Sequence, residues 1–429
     1  MRRVYKHLPQ RVGGVAHGAR YRRAVRWTDQ RSRLTAVLFG GVALGSTAHI
    51  AAVTVSTLAV DEITGSSTLA GVPSASAVVG TALGTSLLTL SMARRGRRPG
   101  LIWGYVIAAS GAIASLFAMA RLSFPLLIAG MALLGVGNAS NALARYTAAD
   151  MHPADRRGAA LGTVVWASTV GSVLGPALLQ PSGRVALDLG RSELAGGYLV
   201  SFTFLVLALL LYVVALRPDP ASLAEAASGV PRVQGDLWAA LRLPQVRVAL
   251  TARVTGQVVM VMIMTATPLH LRHHGSDLGI VGLVMSAHTL GMFALSPITG
   301  RLVDRFGGTG VALGGVGLLG LSAVAAATAP NQSTALLLVT LFTLGCGWTL
   351  AFVSGSSLLT GGMGTELRAR LPGRVDSIAW GSGALASITS GVVYQATDYQ
   401  VTSLIGLVLL VVPAVIIARR RRRAVAAEA

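Results

Sequence analysis

A charged loop, Gly300-Arg301-Leu302-Val303-Asp304-Arg305-Phe306-Gly307-Gly308, follows a long apolar run over residues 278–300. Gly300 lets two helices approach closely, and Gly307 permits the tight turn that reverses the chain. Asp304 has the charge to face the positive amino end of a neighbouring helix, and Arg305 offers a partner to an acid. The loop therefore predicts a latch between helices that cross a membrane.

Apolar stretches long enough to cross a bilayer surround this loop. A helix that crosses about 30 Å of hydrocarbon needs ~20 largely apolar residues. With 53% hydrophobic and 12% charged residues and a mean hydropathy of +0.64, the chain cannot cover the surface of a soluble enzyme. We therefore expect an all-α membrane protein with twelve transmembrane helices. The twelve stretches are 34–60, 67–92, 100–120, 124–146, 158–180, 195–216, 248–271, 278–300, 309–329, 334–359, 376–396 and 401–418.

A polar, proline-rich segment, residues 217–247, divides the stretches into two sets of six. The two halves also repeat one another, since Leu134-Gly135-Val136-Gly137 returns as Leu344-Gly345-Cys346-Gly347 and Gly96 corresponds to Gly307. Two six-helix bundles that face each other around a midplane cavity predict a transporter. We expect a basic cytoplasmic tail over 1–33, a bundle over 34–216, a cytoplasmic linker over 217–247, a second bundle over 248–418 and a basic cytoplasmic tail over 419–429.

The basic residues indicate how the chain is oriented. Lysine and arginine number 36 against 16 aspartate and glutamate, which gives a net charge of +20. Nearly all of them fall in segments on the amino-terminal side of the membrane, which predicts that both termini are cytoplasmic. They lie between apolar stretches without interleaved aromatic residues, which argues against nucleic acid as a partner. We expect a monomer that crosses the plasma membrane of a bacterial cell several times, with the lipid bilayer and a small-molecule or ion substrate as partners.

The loop at 300–308 closely resembles the G-x-x-x-D-R-x-G signature of the major facilitator superfamily. The resemblance implies a twelve-helix secondary transporter with this loop at a cytoplasmic gate. The first-half copy, residues 93–98, is degraded because Ala93 stands in place of the acid. Gate control is therefore expected to be asymmetric. The gate candidates are Gly300, Asp304, Arg305, Gly307, Arg94 and Gly96.

Four residues of the fifth stretch resemble the antiporter signature of the same superfamily and favour export. Met131 departs from the pattern, because drug antiporters of the superfamily commonly carry an arginine there. The alternative interpretation is a stripe of small residues that allows close helix packing and ends at a proline. The four residues are Gly162, Gly171, Gly175 and Pro176.

Methionine and histidine side chains recur at i, i+4 spacing on the seventh and eighth stretches, as Met260, Met264, His288 and Met292. Thioether and imidazole ligands suit copper, especially Cu(I). The pairing resembles the motifs of CcoA-like copper importers, a branch of the same superfamily. The resemblance implies copper as a transported substrate and no required cofactor. The spacing favours a ladder for copper with Met260 and His288 as its central pair. The alternative for these residues is ordinary packing, and His49 in the first stretch is a further proton or metal candidate.

Proton-coupled efflux of drugs or organic metabolites is the alternative function. It would rely on polar or aromatic residues at a cavity wall. An enzyme is not expected, because the chain carries no nucleophile elbow, phosphate loop or carboxylate pair, and no catalytic residue is assigned. The cavity candidates are Asn138, Asn141, Trp166, Gln257 and Trp380.

Overall fold

The computed structural model describes residues 14–152, 157–223, 242–328, 333–360 and 365–428, and these residues form fourteen α-helices and no described strand. The first half contains α1 Gly14–Thr64, α2 Val72–Arg95, α3 Arg97–Arg121, α4 Phe124–Asp150, α5 Arg157–Ala177, α6 Leu179–Asp188 and α7 Ala195–Ala215. The second half contains α8 Pro244–His273, α9 Leu278–Phe293, α10 Ser296–Phe306, α11 Gly308–Thr328, α12 Thr334–Thr360, α13 Thr365–Ala396 and α14 Tyr399–Glu428. Short 3-10 turns cover Ser67–Leu69 and Pro220–Leu223.

Ten of the described helices are long and apolar enough to cross a membrane, and the bent pair α9 and α10 would make eleven. The prediction of twelve spans is therefore only partly matched. The stretch 376–396 lies in α13, where serine, threonine and glycine dilute the apolar residues and lower the hydropathy. An all-helical membrane architecture nevertheless follows, because a helix satisfies its backbone hydrogen bonds within lipid.

Several helix boundaries differ from the predicted ones. The helix α1 begins at Gly14, inside the predicted tail, and α14 continues to Glu428 through the arginine run, because arginine has a high helix propensity. The fifth stretch breaks at Leu178, two residues after Pro176, and α9 and α10 meet at 43° with a proline in the first turn of α10. Residues 1–13 of the tail and 224–241 of the linker lie outside the described residues.

Helix packing follows the same pattern in both halves. In the first half, α4 packs against α2 and α3, and α1 packs against α5 and α7. In the second half, α12 packs against α9 and α11, and α8 packs against α13 and α14. Two large buried apolar clusters follow this division, one built mainly from residues 34–223 and the other from residues 248–417.

The two halves touch through α5 with α9 and through α2 with α13. Glycines bring these backbones close, because a Cβ on Gly282 would lie 2.2 Å from the Pro176 carbonyl oxygen and one on Gly71 would lie 1.7 Å from that of Ser387. These contacts lie toward one end of the molecule, which we name the closed face and define by residues 61–71, 180–195, 270–282 and 391–400. We name the opposite end the latch face and define it by residues 95–98, 150, 216–220 and 300–308.

Candidate functional site

The second-half latch residues lie on an exposed surface at the latch face. Asp304 and Arg305 are exposed, and the Arg305 guanidinium lies 5.3 Å from the ring of Phe306. Asp304 makes no hydrogen bond or ion pair with any described residue. A Cβ on Gly300 would meet nothing within 4 Å. Among the described residues, this conformation therefore shows neither the predicted close helix approach at Gly300 nor the predicted contact of Asp304 with a helix end.

The turn itself has the geometry that the sequence predicts. Gly307 adopts a φ of +73°, and its amide donates to the Val303 carbonyl oxygen at 2.9 Å. Gly96 ends α2 in the same manner, with a φ of +95° and a 3.1 Å bond to the Met92 carbonyl oxygen. Since residues with a Cβ rarely adopt these positive φ angles, glycine is needed at both turns.

The first-half turn is held by an acid that the motif does not contain. The amides of Arg97 and Arg98, at the start of α3, donate to the two carboxylate oxygens of Asp219, each at 3.1 Å. Arg97 also forms an ion pair with Asp150 at the end of α4, while Arg94 is exposed. Asp219 follows α7 and supplies an acid to the first-half turn, although the motif position itself is Ala93. Sequence reasoning missed this role, although an acid between two prolines was a visible signal.

The antiporter-like residues serve mainly to pack helices. A Cβ on Gly171 would lie 2.5 Å from the Thr47 amide nitrogen, and one on Gly175 would lie 2.8 Å from the Thr47 carbonyl oxygen, so both glycines let α5 approach α1. Pro176 presents its carbonyl oxygen to α9. Gly162 has nothing within 4 Å of its would-be Cβ. The packing interpretation accounts for Gly171 and Gly175 without an export role.

The described contacts show no metal site at the copper candidates. His288 is fully buried, its Nδ1 lies 3.0 Å from the Leu341 carbonyl oxygen of α12, and its Nε2 has no hydrogen-bond partner among the described residues. No described group of three or more His, Cys, Asp or Glu side chains is placed to hold a metal. The ladder with Met260 and His288 as its central pair uses methionine as well, and it stays a prediction. Met260 and Met292 are buried, while Met264 is half-buried.

His49 lies half-buried in α1, and its Nδ1 has no hydrogen-bond partner among the described residues. Asn138 and Asn141, both predicted at the cavity wall, lie inside the first half. The Asn141 side-chain oxygen accepts from the Tyr105 hydroxyl at 2.7 Å, and the Asn138 amide lies 3.5 Å from the Thr81 hydroxyl. The two asparagines therefore link α4 to α3 and α2, because a polar amide in a bilayer must find partners within the bundle.

Two tryptophans lie where the halves diverge. Trp166 is 52% exposed and lies seven residues before Val173, whose carbonyl oxygen accepts from Ser286 of α9 at 3.1 Å. Trp380 is 44% exposed and lies seven residues before Ser387, whose carbonyl group abuts Gly71 immediately before α2. Residues seven apart share a helix face. Both tryptophans therefore project from the side turned to the opposite half, roughly 10 Å from those contacts toward the latch face.

Gln257 adds a polar group to the second-half wall. It is 4% exposed, its side-chain oxygen accepts from the Trp348 indole at 2.8 Å, and Gly383 of α13 packs against it. Gln257 therefore lies at the level of Gly383, one turn from Trp380. All five cavity residues stay predictions, and Trp166 and Trp380 are the exposed ones among them.

A buried cation, Arg253, was missed by the sequence analysis. It lies one turn before Gln257 in α8 and is 3% exposed. It forms an ion pair with Asp376 of α13, and its Nη1 donates to the Ser356 hydroxyl at 2.7 Å. The signal was present, because an arginine inside the apolar stretch 248–271 is expensive and hence a functional candidate.

Polar contacts between the halves collect at the closed face. His273 of α8 bridges the halves, with its Nε2 2.9 Å from Asp61 of α1 and its Nδ1 3.0 Å from the Tyr394 hydroxyl of α13. Arg272 pairs with Glu193 at 3.1 Å. The Ser67 amide donates to the Gln395 side-chain oxygen at 2.8 Å. These bonds hold the two halves together at this end.

The Major Facilitator Superfamily model matches residues 35–388 and 262–428. The chain belongs to this superfamily. It is 38% identical to a protein named as an uncharacterised MFS-type transporter, YdeG of Bacillus subtilis, over 88% of this chain and 89% of that one. It is 26% identical to the riboflavin transporter RfnT of Brucella anthropi, over 75% and 79% of the two chains.

Solved structures of MFS transporters share the fold. A bacterial homologue of the human lysosomal transporter Spinster aligns with a TM-score of 0.69 at 15% identity, covering 90% of this chain and 96% of that one. The xylose transporter XylE from E. coli aligns with a TM-score of 0.68 at 15% identity, covering 91% and 98%. The chain is therefore a multi-pass membrane transporter of MFS type. The resemblance to copper importers receives no support from these relatives.

Proposed function

We propose that the protein is a secondary transporter that carries a small organic solute by alternating access. Two six-helix bundles, over 34–216 and 248–418, rock about a central cavity and expose it to each side in turn. The observation that carries this proposal is the position of Trp166 and Trp380. Both face the opposite half and both are exposed, although their helices are joined to that half two turns away. Exposed aromatic side chains in such a cleft suit a planar organic solute.

The riboflavin transporter relative supports the same class of solute, because riboflavin is a planar organic molecule. Copper is the weaker candidate, since neither of the relatives named above is described as a copper transporter. We further propose a monomer in the plasma membrane of a bacterium, with twelve spans, both termini and the linker 217–247 in the cytoplasm. The latch face is then cytoplasmic, and the structure corresponds to a state that is closed on the outside.

A cross-link at the closed face tests alternating access. Ser67→Cys and Gln395→Cys, combined with Cys346→Ala to remove the single native cysteine, place one thiol on each half. Since Ser67 is fully buried in this conformation, we expect a short bifunctional methanethiosulfonate reagent to react when this face opens and to join the two thiols when it closes. The cross-link should stop solute flux, and reduction of its disulfides should restore the flux. Each single-cysteine protein, treated in the same manner, is the matched control. Undiminished flux through fully cross-linked protein would refute alternating access at this face.

Riboflavin is the first solute to measure, in proteoliposomes that contain the purified protein. We expect saturable flux of tritiated riboflavin above empty liposomes, and we expect Trp166→Ala and Trp380→Ala to reduce it at least ~tenfold, which corresponds to ~1.4 kcal/mol. The matched control is Trp103→Ala, because Trp103 is also half-exposed but lies on α3. Equal losses in the three variants would contradict the assignment of the cavity wall.

A further inference from the structure

The ion pair between Arg253 and Asp376 is asymmetric in its access to solvent. The Arg253 side chain is 2% exposed, whereas the Asp376 side chain is 39% exposed. A buried guanidinium is stable only when it is paired and hydrogen-bonded, so Arg253 cannot lose its anion without replacement. The carboxylate of Asp376 can turn into solvent. Asp376 is therefore the member of the pair that can be exchanged.

The surroundings of Arg253 fix the guanidinium in place. Its central carbon lies 4.0 Å from the centre of the Phe352 ring, and the Ser356 hydroxyl oxygen accepts a hydrogen bond from its Nη1. Gly355 leaves room for the stem, because a Cβ there would lie 2.6 Å from the Arg253 Cγ. The Arg253 Nε is buried and has no hydrogen-bond partner among the residues that the structure describes. A fixed guanidinium with an unused donor suits a bidentate oxyanion better than the single bond that Asp376 provides.

We propose that Arg253 binds a carboxylate group of the transported solute, and that Asp376 is a resident counter-ion which this group displaces. The inference rests on the proposed transport function and predicts that a planar organic carboxylate is carried in preference to riboflavin, which has no carboxylate group. Trp380 lies one turn from Asp376 and Gln257 one turn from Arg253, so the ring of such a solute meets an aromatic and a polar side chain. Among the described residues, Asp376 forms its ion pair with Arg253.

Nicotinate and its neutral amide, nicotinamide, are matched probes, because they differ in charge but hardly in shape. Each is added to the purified full-length Asp376→Asn protein in detergent, and the thermal unfolding midpoint is measured. We expect nicotinate to raise the midpoint of Asp376→Asn by several degrees, more than that of wild type, because the resident anion no longer competes. Nicotinamide should shift neither. A nicotinate shift that is absent from Asp376→Asn, or equalled by nicotinamide, would overturn the proposal.

A second measurement covers the case in which Asp376→Asn does not fold. Calorimetric titration of nicotinate should show at least ~tenfold weaker binding to Arg253→Lys than to wild type, since lysine keeps the charge but not the planar fork. The control is Arg247→Lys, because Arg247 is exposed on the same helix and should bind like wild type. Equal binding by Arg253→Lys and wild type would refute the assignment. Binding in detergent requires no transport, so this result is separate from the cross-linking result.

Discussion

The two turns at the latch face have the same backbone but differ in what holds them. Gly96 and Gly307 both take positive φ angles and close the same helical turn. The first turn is tied to its own half by Asp219 and by the ion pair of Arg97. The second turn carries Asp304, which is exposed and contacts no described partner. The repeat therefore preserves a fold, while the charges around it differ.

This difference indicates that the acids of the two turns have different roles. The acid of the first turn is satisfied by amides of its own half, so it has no need of the opposite half. The acid of the second turn is available, and the closed face is held together in the same conformation by Asp61 and His273. A latch that is free while the far gate is closed is expected of alternating access, since the two gates close in turn. The following variants test whether the two turns really differ.

Alanine at the two glycines gives the largest expected difference. Both substitutions force a side chain into a backbone region that is nearly exclusive to glycine, at about 1–3 kcal/mol each. At Gly96 the new Cβ would also lie 2.4 Å from the Asp219 carboxylate oxygen, whereas at Gly307 it meets nothing within 4 Å. We therefore expect Gly96→Ala to lower the free energy of unfolding by ~1–2 kcal/mol more than Gly307→Ala. Denaturation of the purified proteins in SDS micelles measures both.

The extra loss in Gly96→Ala has a specific origin that a double variant can isolate. Once Asp219 is replaced by Ala, the carboxylate that the new Cβ would meet is gone and the cap is already lost, so Gly96→Ala should then cost no more than Gly307→Ala. Equal losses in the two single variants would show that Asp219 does not stabilise the first turn.

The second largest effect is expected for Asp219→Asn. Two backbone amides at the start of α3 lose a charged acceptor next to the positive helix end, which amounts to ~1–2 kcal/mol of unfolding free energy. Asp304→Asn removes the same charge from the other turn and is the matched control. A loss in Asp304→Asn as large as that in Asp219→Asn would remove the contrast between the halves.

The contrast also shows what a sequence can and cannot predict. Gly307 and Gly96 were identified from spacing, because a turn is a local property of the chain. The role of Asp219 depends on where the end of α7 lies relative to α3, which no local pattern encodes. The contacts of Asn138 and Asn141 with Thr81 and Tyr105 could not be predicted for a related reason, since helical position alone does not tell which neighbour a helix face meets.

Arg253 differs from these cases, because its signal was in the sequence. An arginine in an apolar stretch is unusual enough to be noted without a structure. Its partner Asp376 was also visible, at the start of the eleventh stretch. The sequence does not show that α8 lies beside α13. This contact repeats the packing of α1 against α5 in the first half.

A smaller effect is expected for the ion pair at the first turn. The Arg97 and Asp150 side chains are 31% and 41% exposed, so solvent screens their attraction. Asp150→Asn should therefore reduce the unfolding free energy by only ~0.2–1 kcal/mol, less than Asp219→Asn. The loss should shrink in high salt, whereas the loss in Asp219→Asn should change little. The reverse ranking of these two variants would identify the ion pair as the main tie of the first turn.

Asp304→Asn is expected to leave the stability of this conformation unchanged within ~0.5 kcal/mol, because the side chain is exposed and without a described partner. Its effect should instead appear in the opposite conformation, in which the closed face opens and the latch engages. Loss of a carboxylate from a helix end disfavours that state by ~0.3–1 kcal/mol, a factor of roughly 2–5 in its population. Ser67 is fully buried here, so a cysteine at this position reports opening.

Alkylation of Ser67→Cys by a maleimide, in the Cys346→Ala protein in detergent, should therefore slow by the same factor when Asp304→Asn is added. Asp150→Asn is the control that changes a charge at the latch face without changing the second turn, and it should leave the rate as it was. If Asp304→Asn left the rate unchanged, Asp304 would have no part in either conformation. The second turn would then share only its backbone conformation with the first turn, and Asp304 would not take part in a contact that closes the latch face.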